Sequence, residues 1–386
     1  MKVTRICIYC ERSKDDSEFS LEHIFPQELG GNLSSDLFKT RSVCARCNSL
    51  MGLFVDGMFL KNWFRVAYNA ESAREYIDIT SPSSVEPLIY MGQIKSLSLS
   101  NDEVCELWLG ACGSVYYHFH AADEKRFQPY AGGDPIKRKA DPGRVYLFLT
   151  SKQPLWSQLA LRSFVTAFPK ARRFAGNFGI ADDPGRIVEA PDNIADEHLR
   201  RLAPLLNQEH SCEISYKLGF EGRWLAKLAV GLGVNLFGPS FLQTTYAKSL
   251  HLALWEQDPN KRAQIPVRGT GFLSDTVDQT DSVMGWAGGY TIRLHAVDDI
   301  FVLTIHLPNQ KSLHVVISDE PSLWESQEFN KFRLGQIYIS FPLLGRFVGP
   351  IGLDEYIGHR VKAKPVPELE AIERMRIDPS TLPPCR

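Results

Sequence analysis

Between residues 48 and 70, apolar side chains at Leu50, Leu53, Phe54, Met58, Trp63, Val66 and Ala67 fall on roughly one helical face, which predicts a helix beginning at or just after Asn48. The Ser- and Pro-rich stretch ITSPSSVEP (79–87) reads as a linker. Beyond it, VCELWLGACGSVYYHFHA and GRVYLFLTS are dense in β-branched and aromatic residues between Gly and Pro, and read as strands. PLWSQLALRSFVTAFPKARRFA has helical character. EGRWLAKLAVGLGVNLFG (221–238) is apolar on most faces and ends on a glycine stop, which predicts a buried helix. YTIRLHAVDDIFVLTIHLPNQKSLHVVIS (290–318) predicts three strands of an antiparallel meander, with VDD and PNQK as turns. A short charged helix and a Pro-rich end, expected to be disordered, close the chain.

Length and composition change this picture little. A chain of 386 residues, 44% hydrophobic, can bury a sizeable core and is long for one compact unit, so two or three domains are expected. No internal repeat or low-complexity tract is visible. Charge is close to balanced overall but unevenly spread: residues 125–180 carry eleven Lys and Arg against two Asp, whereas residues 1–70 carry nine against eight Asp and Glu. Such a basic block suits a phosphate backbone, and equally suits solvated loops and helix faces. No apolar run is long enough to span a membrane, and MKVTRICIYC lacks the features of a secretory signal, so a cytoplasmic location is expected.

Cysteines change the picture most. Cys7-Ile-Tyr-Cys10 and Cys44-Ala-Arg-Cys47 form two C-x2-C pairs separated by 33 residues, while Cys105, Cys112, Cys212 and Cys385 are scattered. Two residues between cysteines let both thiolates of a tight turn face one ion, and two such turns complete a tetrahedral zinc shell. Four cysteines would close that shell and leave no open position for water, so the ion would be structural. Glu22 and His23 lie within the insert between the pairs and Asn48 directly follows Cys47, so zinc would gather residues distant in sequence. His118, His120, His295, His306 and His314 alternate with apolar residues in strand-like runs and read as strand side chains. GNLSSD is no phosphate-cradling P-loop.

The order C-x2-C, then Glu-His-Ile-x-Pro-x-x-Leu-Gly-Gly-Asn (22–32), then C-x2-C-Asn resembles the HNH endonuclease family, in the branch whose ββα-metal fold is braced by four zinc-binding cysteines. The resemblance covers about the first 60 to 70 residues. It implies that His23 is the general base that activates water against a DNA phosphodiester, and that Glu22 and Asn48 bind one catalytic Mg²⁺ or Mn²⁺. The chemistry is consistent: imidazole titrates near neutrality, and hard oxygen donors suit those ions. One departure stands out. LFKTRSVC offers no middle Asn before the second cysteine pair, which makes Asn32 the candidate for orienting the base. Arg41 and Arg46 are candidates for phosphate contact or solvated loop charges.

The expected architecture is thus α+β: an HNH domain over 1–70, a linker over 71–87, and a mixed α/β region over 88–386 that regulates, recognises or oligomerises, in one or two subdomains. RWLAKLAVGLGVNLFG is similar to a helix of many bacterial proteins that begin with such a domain, and implies no chemistry. Three functions compete: a DNA endonuclease of defence or restriction type; an antiphage effector gated by a cyclic-oligonucleotide second messenger; and a zinc-ribbon binding module without chemistry. A homodimer or higher homo-oligomer would let single-cut sites cleave both strands.

Overall fold

The computed structural model describes residues 4–60, 70, 73–79, 81–97, 99, 102–122, 142–176, 189–190, 192–205, 208–213, 221–270, 281–308 and 312–385. These fall into two compact units, one formed by Met1–Leu60 with Leu218–Arg376, the other by Lys61–Lys217 with Ile377–Arg386. The sheets and helices bear out the α+β expectation. Among the described residues no helix is long and apolar enough to cross a membrane.

The chain begins with a hairpin of β1 (Thr4–Ile6) and β2 (Ser13–Asp15), whose connecting turn carries Cys7 and Cys10. A second antiparallel pair, β3 (Phe19–His23) and β4 (Lys39–Cys44), follows, with a register shift between Ser20 and Glu22. Helix α1 (Ala45–Met51) runs on through a wider π turn, Gly52–Asp56, into a further turn at Gly57–Leu60. The helix thus starts three residues before Asn48: extended Cys44 ends β4 and serves as its N-cap, which puts Cys47 in the first turn. Trp63, Val66 and Ala67, expected on the same helical face, lie outside the described residues.

In the second unit, β5 (Ile89–Ile94), β6 (Glu103–Leu109), β7 (Val115–Ala121), β8 (Arg144–Phe148), β9 (Arg172–Gly176) and β10 (Cys212–Glu213) form a sheet in the order β10-β5-β6-β7-β8-β9. All neighbours are antiparallel except β8 and β9. Strand alternation splits the core. Tyr90, Trp108, Tyr116, Val145 and Leu147 face helix α2 (Pro154–Ala167), whereas Cys105, Leu107, Tyr117, Phe119 and Tyr146 face α3 (Asn193–Leu202). The 79–87 stretch, expected as a linker, is held against α2: Arg162 donates to the carbonyls of Ser84 and Ile79, and the Glu86 amide donates to Ser163 Oγ. The Pro-rich end, expected to be disordered, is also tied down. Trp156 Nε1 donates to Pro383 O at 3.0 Å, and Cys112 and Cys385, which looked scattered, form a disulfide across 273 residues. From the basic block, Lys125, Arg126, Lys137, Arg138 and Lys139 lie outside the described residues; Arg144 and Arg172 form ion pairs with Asp192.

The first unit resumes with α4 (Glu221–Phe237), in which every residue from Trp224 to Gly233 is buried. It is followed by α5 (Thr245–Trp255) and a sheet of β11 (Gly269–Thr270), β12 (Tyr290–Val297), β13 (Ile300–His306), β14 (Ser312–Ser318), β15 (Gln336–Phe341) and β16 (Arg346–Gly352), in the order β11-β14-β13-β12-β15-β16. β12, β13 and β14 are the expected antiparallel meander. The N-terminal elements are built into this unit. Phe59 stacks on Trp224 with ring centroids 3.8 Å apart, Phe38 meets Tyr338 edge-on, and a Cβ on Gly231 would strike Ile24 at 2.8 Å.

Candidate functional site

The four cysteines meet as their spacing requires. Their sulfurs lie within 4.8 Å of one another, close to the S···S separation of about 3.8 Å that Zn–S bonds of about 2.3 Å impose on a tetrahedron. The turn between β1 and β2 is closed by the Glu11 amide donating to Cys7 O, and is docked on β4 by the Ile8 amide donating to Ser42 O. The Cys44 amide donates to Cys7 Sγ at 3.3 Å. From α5, Trp255 Nε1 donates to Tyr9 O at 2.6 Å, and His251 Nε2 donates to Ile8 O at 3.0 Å. The Cys7 thiol is lowered to about 4, chiefly by the neighbouring Cys47 thiol, and Cys47 is raised in turn, because adjoining sulfurs cannot all hold negative charge unaided. A bound cation removes that conflict, so the donor set fits a thiolate-bound metal ion.

Glu22 and His23 are consecutive on β3, so their side chains leave the strand on opposite faces. Glu22, expected as a metal ligand, faces the interior and is 3% exposed. Its Oε1 lies 2.8 Å from Nζ of Lys227, a fully buried lysine of α4. The same ammonium lies 2.7 Å from Asp56 Oδ2 and donates to the backbone carbonyls of His23 and Ile24 at 3.1 and 3.3 Å. One buried cation therefore fixes two carboxylates and the end of β3. Burial opposes the charge of Lys227, but Asp56 and Glu22 outweigh it and raise its pKa. Burial also raises Asp56 to about 6, against the pull of Lys227. Tyr9, buried over the same carboxylates, is raised by burial and by Glu22 and Asp56. The helix from which no chemistry was expected thus supplies the charge at the centre of this cluster.

His23 is partly exposed, on the other face. Its Nδ1 lies 2.9 Å from the side-chain amide nitrogen Nε2 of Gln27, whose nitrogen and oxygen ends exchange when the amide turns over. With the amide's carbonyl end toward the ring, Nδ1–H donates to it and Nε2 keeps the lone pair a base needs; with the NH₂ end toward the ring, Nδ1 accepts and Nε2 carries the proton. Gln27 stands in the short 3₁₀ turn Gln27–Leu29, which Gly30 closes at φ +91°. Gly31 then passes so close to the Phe25 carbonyl that a Cβ would collide with it, which accounts for the double glycine. The His23 pKa is held below its ordinary 6.5, by burial first and by the ammonium of Lys39.

Asn48 reaches the same strand from α1. Its Nδ2 donates to Ser20 Oγ at 2.9 Å and to Leu21 O at 2.8 Å, two residues before His23. With both amide hydrogens so engaged, Oδ1 is the end available to a cation. Asn32 is placed differently: it is exposed and held through its backbone carbonyl, which accepts from Lys39 Nζ at 2.9 Å, and its side chain makes no hydrogen bond among the described residues. Arg41 and Arg46 are exposed, on β4 and α1. The structure thus sets Gln27 against His23, ties Asn48 to β3 two residues before His23, and turns Glu22 toward Lys227. Gln27, Asp56 and Lys227 were not singled out in the sequence. Gln27 has a visible signal in its i+4 spacing from His23; Lys227, over 200 residues away, has only the oddity of a lysine inside an apolar helix.

Residues 7–64 match the family model described as HNH endonuclease. No curated protein and no solved structure matches the chain. An HNH endonuclease domain, with a cysteine cluster suited to a metal ion, therefore occupies the N-terminal part of the chain.

Proposed function

We propose that the protein is a metal-dependent endonuclease that hydrolyses DNA phosphodiester bonds, with His23 as general base. The observation that carries this reading is the meeting on β3 of an imidazole held by Gln27 and an asparagine amide whose oxygen is left for a cation. In the carbonyl-facing rotamer of Gln27, His23 Nε2 takes a proton from water as the water attacks phosphorus, and the depressed pKa keeps the ring neutral for that task. A divalent ion, Mg²⁺ or Mn²⁺, would neutralise charge building on the phosphate oxygens. Asn48 Oδ1 is the donor this chain offers it, and a hard ion that keeps several waters and takes substrate oxygens suits so sparse a protein shell. Glu22 acts through the strand: joined to Lys227 and Asp56, it holds β3, which bears His23 and anchors Asn48. A zinc ion at the four cysteines would fix both ends of the insert that carries His23 and the first turn of the helix that carries Asn48. Arg41 and Arg46 are exposed cations suited to backbone phosphates.

The test is cleavage of supercoiled and linear DNA by the full chain with Mg²⁺ or Mn²⁺, beside His23→Ala and Asn48→Ala. Cleavage by wild type with loss of two or more orders of magnitude in His23→Ala is expected, in line with the usual contribution of a general base. Equal cleavage by wild type and His23→Ala excludes His23 as the base. A DNA-binding module without chemistry predicts instead that both variants bind as wild type does and that none of the three cuts.

A further inference from the structure

We infer that Glu106, His118 and His120 form a second metal site, in the Lys61–Lys217 unit, for a divalent transition-metal ion with zinc as its preferred occupant. β6 and β7 are antiparallel neighbours in which Glu106 stands directly opposite His118. His120 is two residues further along β7, so the period of the strand puts all three side chains on one face, the face that also carries Trp108 and Tyr116. One ligand atom from each lies within 4.8 Å of the others, the imidazole centroids are 4.7 Å apart, and the three residues are between 0 and 6% exposed.

The groups around the cluster orient it. Tyr90 OH donates to Glu106 Oε1 at 3.1 Å. His120 Nδ1–H donates to the carbonyl of Ala121 at 2.9 Å, so in the neutral ring the lone pair is on Nε2, which lies 3.5 Å from Glu106 Oε2. A lone pair set against a carboxylate oxygen in a buried site repels it unless a cation lies between. A proton on Nε2 would join His120 to Glu106. A metal ion joins both of them to His118, which converges on the same point. Two imidazoles and a carboxylate form a donor set typical of zinc, with one coordination position left for a further ligand. A carboxylate steadied by a tyrosine and an imidazole steadied by a backbone carbonyl are the outer contacts such sites employ. The alternation that makes His118 and His120 look like ordinary strand residues is what puts them on one face, and only the pairing of β6 with β7 adds the carboxylate.

The test measures zinc in the full-length protein, expressed with zinc and desalted without chelator, by inductively coupled plasma mass spectrometry. Wild type should carry about two equivalents, one at the thiolates and one here, and the double variant Glu106→Gln, His120→Gln about one, with an unchanged circular dichroism spectrum. Equal zinc in both proteins overturns the inference and leaves His120 and Glu106 as a protonated pair. Should the variant fail to fold, cobalt titration of the wild type decides. The intense sulfur-to-cobalt charge-transfer band should saturate after about one equivalent while a second equivalent still binds with only weak visible bands, as nitrogen and oxygen donors give. Binding that ends with the charge-transfer band overturns the inference. Neither readout depends on nuclease activity, so loss of one proposal leaves the other standing.

Discussion

Replacing Lys227 with methionine keeps the length and apolar stem of the side chain and removes only its charge, leaving Glu22 and Asp56 facing each other and two backbone carbonyls without their donor. Removing one partner of a buried ion pair costs about 3–5 kcal/mol. Each orphaned carbonyl could add about 1–3 kcal/mol, but proton uptake limits the total. Asp56, already at about 6 with the lysine present, binds a proton near neutral pH once the lysine is gone. A destabilisation of about 3–5 kcal/mol at pH 7 is therefore expected, a large share of the 5–15 kcal/mol by which a typical domain is stable. The sign with pH follows. Carboxyls whose folded pKa is raised bind more protons folded than unfolded, so their penalty is greatest above the folded pKa and fades as pH falls toward the ordinary carboxylate range. The gap between variant and wild type should narrow from pH 7 to pH 5. Urea denaturation followed by tryptophan fluorescence, with zinc in all samples, measures it. The triple variant Lys227→Met, Glu22→Gln, Asp56→Asn should recover most of the loss, because a neutral set has no uncompensated charge to bury. A single variant within about 1 kcal/mol of wild type, or a gap that widens in acid, would refute the reasoning.

With His23 as base and its pKa lowered by burial and Lys39, the acid limb of the cleavage profile should fall below pH 6.5, and Lys39→Met should move it upward; a wild-type limb above 6.5 contradicts the assignment. Cys47→Ser, or stripping of the thiolate-bound ion, should abolish hydrogen-exchange protection of β3 and β4, since small metal-braced segments draw much of their folding free energy from the ion; protection that survives metal removal would count against a structural role. Reduction of the Cys112–Cys385 disulfide should expose residues 377–385 to limited proteolysis, and a digestion pattern identical with and without reductant would show that the tail is held by its other contacts.

Much of this site is legible along the chain because its parts are local. One C-x2-C pair is a hairpin turn and the other joins a strand end to the first turn of a helix, the Glu-His dipeptide sits on one strand, and Asn48 directly follows Cys47. The meander of β12, β13 and β14 is equally local, as alternation and short turns specify it. The roles of Glu22 and Asn32 were less legible for the same kind of reason. Neighbours on a strand diverge to opposite faces, so a dipeptide that reads as one site is shared between a core and a surface. Asn32 follows the double glycine, whose tight path ends with its backbone, rather than its side chain, held by Lys39.

The sequence by itself determined the cysteine cluster, the imidazole and the asparagine tied to the same strand, because the paired cysteines and the segment between them are encoded within a few dozen consecutive residues. Only the tertiary structure decided what stands behind them: Lys227 under Glu22, Trp255 and His251 on the first knuckle, Glu106 opposite His118, and Cys385 joined to Cys112. Each of these contacts pairs residues from distant parts of the chain or from different strands, and burial selects them. A buried charge requires a countercharge wherever the fold can supply one, and no local pattern records where that will be.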